Sequence, residues 1–117
     1  SAVAEFGKVD GKRLPSGLVA EYSFKEAYSY FEEGLLVKAR SLFEKADKMP
    51  HSDYTAPSRY SLGYINYSEK NFDEAYDWFE KAARDPRFAE MSAYYMTEFT
   101  SRPSSKLRAQ ERLETFR

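Results

Sequence analysis

Two stretches of the chain share one pattern of hydrophobic and polar positions. The segments "LVKARSLFEKADKMP" at 36–50 and "FDEAYDWFEKAARDP" at 72–86 carry the same residue at six aligned positions, 36 residues apart. Within each segment apolar residues recur three and four positions apart, which is the spacing of one helical face. The pattern therefore predicts an amphipathic helix in each segment, and the shared residues indicate an internal repeat.

A further helix is predicted in front of each of these segments. Apolar residues recur at three and four positions across residues 24–31 and again across 60–67. Gly34 interrupts the first run, and the Lys-Asn pair at 70 and 71 interrupts the second. A third, partial copy follows at 92–99. Each full unit is therefore predicted to be a hairpin of two helices.

Proline and aspartate residues predict where helices end and begin. Pro50 and Pro86 are expected to close the second helix of each pair, because proline lacks the backbone N–H that continues a helix. Asp85 before Pro86 also suits an N-cap followed by the first residue of the next helix.

Small side chains occupy matching positions on the predicted helices. They are Ala27 and Gly63 on the first helices and Ala39 and Ala75 on the second. Two antiparallel helices approach closely where one presents a small residue, and we expect Phe43 and Phe79 to fill the space between units. Because one hairpin cannot bury its apolar face alone, neighbouring hairpins must stack. The sequence predicts an all-α helical-hairpin solenoid of about 2.5 repeats.

These motif residues resemble the tetratricopeptide repeat family. In the second unit the family signature corresponds to Leu62, Gly63, Tyr67 displaced by one position, Ala75, Phe79, Ala82 and Pro86. In the first unit it corresponds to Ala27, Tyr30, Gly34, Ala39, Phe43, Ala46 and Pro50. The early Trp of the family is replaced by Ser23, Arg59 and Ala93. The resemblance indicates the fold of residues 20 to 100 and says little about function, since the family is a scaffold for many partners.

The domain organisation follows from the register of the repeat. A repeat domain is predicted over 20–101, with units at 20–52 and 53–86 and a partial unit at 87–101. Residues 1–19 are predicted to be a flexible arm, with a hairpin at the Asp-Gly pair as the alternative. Residues 102–117 form either a basic helix that caps the array, an added tail, or the start of further repeats.

The resemblance implies a concave groove lined by the first helix of each unit. The family's groove positions correspond to Glu21, Phe24, Tyr28, Phe31, Glu32, Pro57, Tyr60, Tyr64, Tyr67, Ser68, Met91, Tyr94 and Glu98. The residues predicted to contact a partner are Tyr28, Tyr60, Tyr64, Tyr67 and Tyr94, with Glu32 and Glu98. Phe24 and Phe31 are assigned to the core in preference to the tyrosines. Tyrosine suits a contact surface, because it pairs a large ring with a hydroxyl at low entropic cost.

The groove positions also indicate the chemistry of the partner. A known subset of the family binds C-terminal carboxylates with Lys, Arg and Asn, but this chain has aromatic residues at Phe24, Tyr28, Tyr60 and Tyr64. A basic or apolar peptide is therefore the expected partner. The alternative is that the chain is one piece of a longer array that stacks on itself through its exposed ends.

Composition and charge bear on the kind of partner and on whether the chain spans a membrane. Aromatic residues make up 17% of the chain, a high value that favours a contact surface. Residues 20–101 carry ten Lys or Arg against fifteen Asp or Glu, a net charge of −5, which argues against nucleic acid as the partner. No apolar stretch approaches the roughly 18 residues of a membrane span. The absence of Cys suits cytoplasm and periplasm alike, so the compartment stays open.

Catalytic chemistry has little support in the sequence. His51, Ser52 and Asp53 are adjacent, but a catalytic triad requires spatial geometry that adjacency does not supply. A capping or turn role is expected for Ser52 and Asp53 instead. We expect no enzymatic activity and no cofactor or metal. Asn66 stands at a family Tyr position and is expected to find a hydrogen-bond partner in the wall between helices.

Overall fold

The computed structural model describes residues 15–101 of the 117-residue chain. Its five helices are α1 (Ser16–Glu32), α2 (Leu36–Asp47), α3 (Thr55–Ser68), α4 (Phe72–Ala82) and α5 (Pro86–Ser101). Residues 15–101 contain no β-strand, so the predicted all-α class with helical hairpins is confirmed. The Asp-Gly pair, with its alternative hairpin, and the helix or tail predicted at 102–117 lie outside these residues.

The chain divides into two compact structural units, which differ from the sequence repeats. Unit 1 ends at Arg59 and unit 2 begins at Tyr60. In unit 1, α1 and α2 pack together as a hairpin. Ala27 on α1 and Ala39 on α2 are completely buried, as their small size predicted. The buried ring of Phe43 on α2 contacts Phe24 at 5.7 Å and Phe31 at 6.5 Å between centroids, so it fills the interior of this hairpin.

The turn between α1 and α2 is a Schellman motif with glycine at the left-handed position. Gly34 has a φ of 81°, and the N–H of Leu35 donates to the carbonyl of Tyr30 at 3.0 Å. This 6→1 bond satisfies a carbonyl at the helix end, and glycine reaches positive φ without the steric cost of a Cβ. The break predicted at Gly34 is confirmed.

The turn between α3 and α4 has the same hydrogen bonds 36 residues later. Lys70 has a φ of 64°, and the N–H of Asn71 donates to the carbonyl of Asn66 at 2.8 Å. Each turn also has a shorter-range bond, from Gly34 to Phe31 and from Lys70 to Tyr67, at 3.0 Å in both cases. The two turns therefore share one backbone conformation, although lysine replaces glycine in the second.

In unit 2, helix α4 packs against α5 and against the part of α3 that begins at Tyr60. Ala75, Phe79 and Phe99 form its buried centre. Gly63 lies directly over the Phe79 ring, since a Cβ at position 63 would stand 2.7 Å from Phe79 Cδ1. A larger residue at position 63 would collide with this ring, which explains the glycine physically.

The cap predicted at Asp85 and Pro86 is present. α5 begins at Pro86, and Asp85 Oδ1 accepts a hydrogen bond from the backbone N–H of Arg87 at 2.8 Å, as an N-cap does. α4 has already ended at Ala82, so Pro86 begins α5 rather than closing the helix before it. α2 ends at Asp47, three residues before Pro50.

Two sequence predictions require correction. α1 begins at Ser16, inside the segment 1–19 that was assigned to an arm, and the carbonyl of Pro15 accepts bonds from Leu18 at 3.0 Å and Val19 at 3.1 Å. The first turn contains Ser and Gly, so it has no apolar period to reveal it. Asn66 is buried, but its Nδ2 donates to the carbonyl of Leu62 at 2.8 Å on its own helix rather than to a neighbouring helix.

Candidate functional site

Tyr95 on α5 is the centre of a cluster of tyrosine rings in unit 2. Its ring centroid lies 6.3 Å from Tyr60, 6.2 Å from Tyr64, 5.1 Å from Tyr67 and 5.3 Å from Tyr94. These four are the tyrosines of unit 2 that the sequence predicted as contact residues. The structure therefore brings them together around a residue that the sequence analysis did not choose.

Helical spacing places the members of this cluster on two facing surfaces. Residues 60, 64 and 67 are four and three positions apart on α3, so they lie along one face of that helix. Residues 91, 94, 95 and 98 have the same relation on α5. Ring contacts then join the two faces.

Phe79 of α4 packs against two rings of the cluster. Its ring stacks on Tyr95 with 4.9 Å between centroids and 4° between planes, and it also contacts Tyr60 at 5.5 Å. Phe79 is completely buried, and Gly63 makes room for it. The orientation of Tyr95 is thus held by packing within unit 2.

An open depression of about 340 Å³ lies beside this cluster, lined by Tyr60, Glu90, Met91, Tyr94 and Tyr95. We call it the tyrosine depression. Its outer side chains are well exposed, with 62% of Tyr94 and 44% of Met91 accessible to solvent. Tyr64, 39% exposed, adjoins it through Tyr95. Large apolar side chains that stay at the surface are typical of a binding site.

Tyr67 and Glu98 have a structural role in this unit. The Tyr67 hydroxyl donates to Glu98 Oε2 at 2.8 Å, and its ring packs against Phe72 and Phe99. Both residues are half-buried. The bond links α3 to α5, so it holds together the two faces that carry the tyrosines.

Burial raises the pKa of Tyr60, and the neighbouring Tyr95 adds to the effect through its charge and hydrogen bonding. A raised tyrosine pKa keeps the hydroxyl protonated well above neutral pH. The Tyr60 side chain is therefore a neutral phenol at neutral pH.

In unit 1, the predicted contact residues Tyr28 and Glu32 lie on α1, and both are exposed. The Tyr28 ring, 44% exposed, stacks between Phe24 at 6.0 Å and Phe31 at 5.9 Å. Both phenylalanines are more buried than Tyr28 and contact the core, as predicted. That Tyr28 and Glu32 share one groove with the tyrosines of unit 2 remains a prediction.

The His-Ser-Asp segment forms a turn before α3. Ser52 Oγ accepts a hydrogen bond from the N–H of Tyr54 at 3.1 Å, and the N–H of Ser52 donates to Thr55 Oγ1 at 2.9 Å. The turn role predicted for Ser52 is confirmed. Within the described part of the chain, no three His, Asp or Glu side chains are grouped so as to hold a metal ion.

Sequence reasoning missed Tyr95 and Glu90. Alignment of the third copy places Tyr95 opposite Ser61 of the second repeat. The repeat therefore did not predict an aromatic contact residue at position 95. The adjacent pair at 94 and 95 was the available signal, because neighbouring tyrosines on a helix project in different directions and one of them reaches the core.

Comparisons with known proteins add no assignment. No protein-family model, no curated protein and no solved structure matches the chain. Among the helices of residues 15–101, none is both long and apolar enough to cross a membrane.

Proposed function

We propose that this chain is a non-catalytic scaffold for protein interactions, and that the tyrosine depression binds a segment of a partner protein. The observation that carries the proposal is the open depression of about 340 Å³ at the surface of unit 2, with exposed aromatic and thioether side chains around it. A depression of this volume is large enough for one or two side chains of a peptide.

The rigidity of the site supports binding. Tyr60 and Tyr95 are held by Phe79, so a partner meets rings that are already ordered. Preorganised aromatic side chains lose little entropy on association, which is the reason tyrosine is favoured at binding surfaces. The resemblance to the tetratricopeptide repeat family and the two matching turns support a repeat scaffold of the solenoid type.

A second candidate function is self-association. Leu35 and Val37, at the start of α2 in unit 1, are 45% and 78% exposed, although both are large apolar residues. Burying them against a second copy would stabilise a stacked array. Sedimentation velocity over a concentration series tests this candidate, and we expect Val37→Glu to abolish any concentration-dependent increase in mass.

The test of the scaffold proposal is direct binding. Peptides are selected from a random display library on the full chain, and their affinities are measured by fluorescence anisotropy for the wild type and for Tyr94→Ala. We expect at least a tenfold loss with an unchanged circular dichroism spectrum, because Tyr94 is exposed. Val37→Ala removes another exposed apolar side chain and serves as the control. Equal affinities for the wild type and Tyr94→Ala would contradict the proposal.

One additional variant tests whether Tyr28 belongs to the same binding surface as the tyrosine depression. If Tyr28 shares the binding surface, Tyr28→Ala weakens the same peptides, whereas a separate surface leaves their affinity unchanged. Both variants replace exposed rings, so neither is expected to disturb the fold.

A further inference from the structure

The composition of the tyrosine depression indicates the charge of the group that it accepts. Among the described residues that line it, Glu90 is the only one with a formal charge, and the others are tyrosines and a methionine. Glu90 is exposed at the surface of α5. Among the described lining residues, this one carboxylate is placed beside aromatic rings, with no lysine or arginine.

The surroundings of the depression favour a cation in the same way. Residues 60–101 contain four Lys or Arg and eight Asp or Glu. The basic residue nearest to Glu90 in sequence is Arg87, which forms an ion pair with Asp85 at 2.9 Å. The described residues of unit 2 therefore carry a net charge of −4, which favours a cationic group over an anionic one.

The tyrosine rings that line the depression are steeply inclined to one another. The planes of Tyr94 and Tyr95 are inclined at 82°, and those of Tyr60 and Tyr95 at 63°. These rings are therefore not coplanar, and their faces are turned in different directions. A cation within about 6 Å of a ring centroid is attracted by the negative face of the ring.

We propose that the tyrosine depression binds an arginine side chain of a basic partner segment, with its guanidinium against the tyrosine rings and paired with Glu90. Arginine fits this site better than lysine, because the planar guanidinium stacks on aromatic rings and also pairs bidentately with a carboxylate. The proposal rests on the scaffold function and specifies its ligand.

The test uses two short probes that differ in charge and hardly in shape. Acetyl-Gly-Arg-Gly-amide and its citrulline counterpart are titrated into the ¹⁵N-labelled full chain, and amide shifts are followed by NMR. The arginine probe is expected to shift the resonances of residues 90–95 in a saturable manner and to bind at least fivefold more tightly than the citrulline probe. Equal binding of the two probes would overturn the proposal.

Two variants that each lack one carboxylate distinguish binding at the site from attraction by the overall charge. Glu90→Gln is expected to weaken the arginine probe at least threefold, because its paired carboxylate is lost. Glu80→Gln removes the same charge from an exposed position on α4 that does not line the depression, and it should change the affinity less than twofold. Similar losses in both variants would show that the overall field, and not a built site, attracts the probe, and would overturn the proposal.

The library-selected peptides distinguish failure of this inference from failure of the scaffold function. If they lose affinity with Tyr94→Ala but tolerate replacement of every arginine by citrulline, the arginine proposal is wrong and the scaffold function stands. If Tyr94→Ala leaves their affinity unchanged, both are wrong.

Discussion

Replacing Gly63 with alanine tests the close approach of α3 to the Phe79 ring. A Cβ atom at position 63 would lie 2.7 Å from Cδ1, 2.8 Å from Cε1 and 2.9 Å from Cγ of Phe79. Carbon atoms in contact prefer about 3.5–4.0 Å. The ring has little room to move, because it is completely buried and stacks on Tyr95 at 4.9 Å. The substitution must displace either the ring or the helix.

Two opposing contributions set the size of the effect. Alanine is favoured over glycine in a helix interior by about 1 kcal/mol. Overpacking a filled core costs roughly 1–3 kcal/mol, and an enclosed ring places Gly63→Ala toward the upper end. The free energy of unfolding is therefore expected to fall by about 1.5 kcal/mol. For a chain of this length the melting temperature should drop by roughly 4–9 °C.

The assay is urea and thermal unfolding followed by circular dichroism, with Gly17→Ala as the matched control. Gly17 lies in the first turn of α1, and a Cβ atom added there would meet no heavy atom from the rest of residues 15–101 within 4 Å. Its replacement should raise the stability by about 0.5 kcal/mol through propensity alone.

A double mutant identifies the clash itself. Adding Phe79→Leu to Gly63→Ala should cost less than the sum of the two single changes, because the smaller side chain makes room for the new methyl group. The reasoning is refuted if Gly63→Ala is as stable as the wild type or more stable, as Gly17→Ala is expected to be.

Three further predictions concern individual residues. Lys70→Gly should raise the free energy of unfolding by about 0.5–1 kcal/mol, since a φ of 64° is strained for lysine, and urea unfolding measures the gain. Ser92 Oγ is buried without a hydrogen-bond partner among the described residues, so Ser92→Ala should leave the free energy of unfolding unchanged or raise it. Ser58→Ala removes the hydrogen bond from Ser58 Oγ to the Tyr54 carbonyl and should lower the free energy of unfolding by about 1 kcal/mol in the same assay. The hydroxyl of Tyr54 donates to Glu21 Oε1 at 2.9 Å, which lowers the pKa of Glu21 and raises that of Tyr54. The stabilisation is thus present between the two ordinary pKa values, about 4.3 and 10, and is lost as the pH falls through the lowered Glu21 pKa or rises through the raised Tyr54 pKa. Lys25, which pairs with Glu21 Oε2 at 3.3 Å, also lowers the Glu21 pKa. Tyr54→Phe should therefore remove the loss at alkaline pH and reduce the loss at acid pH in unfolding curves measured over a pH series, and an unchanged dependence would contradict the assignment.

Local signals in the sequence predicted most of the helices and their connections. Helical faces follow from three- and four-residue spacing, and a turn follows from Gly34 or from a capping pair such as Asp85 and Pro86, since these effects act within one or two turns of chain. The start of α1 at Ser16 was missed for the same reason, because a first turn with Ser and Gly carries no apolar period.

The sequence by itself determined the all-α hairpins, because helical periodicity and turn residues act between positions a few residues apart. The internal repeat also marked the positions where small residues lie. Tertiary structure alone decided which tyrosines are held in the core and which remain accessible. Tyr95 and Tyr94 are adjacent, yet one stacks on Phe79 and the other is 62% exposed. Their difference arises from contacts with α3 and α4. Because these helices are distant along the chain, the local sequence pattern does not show it.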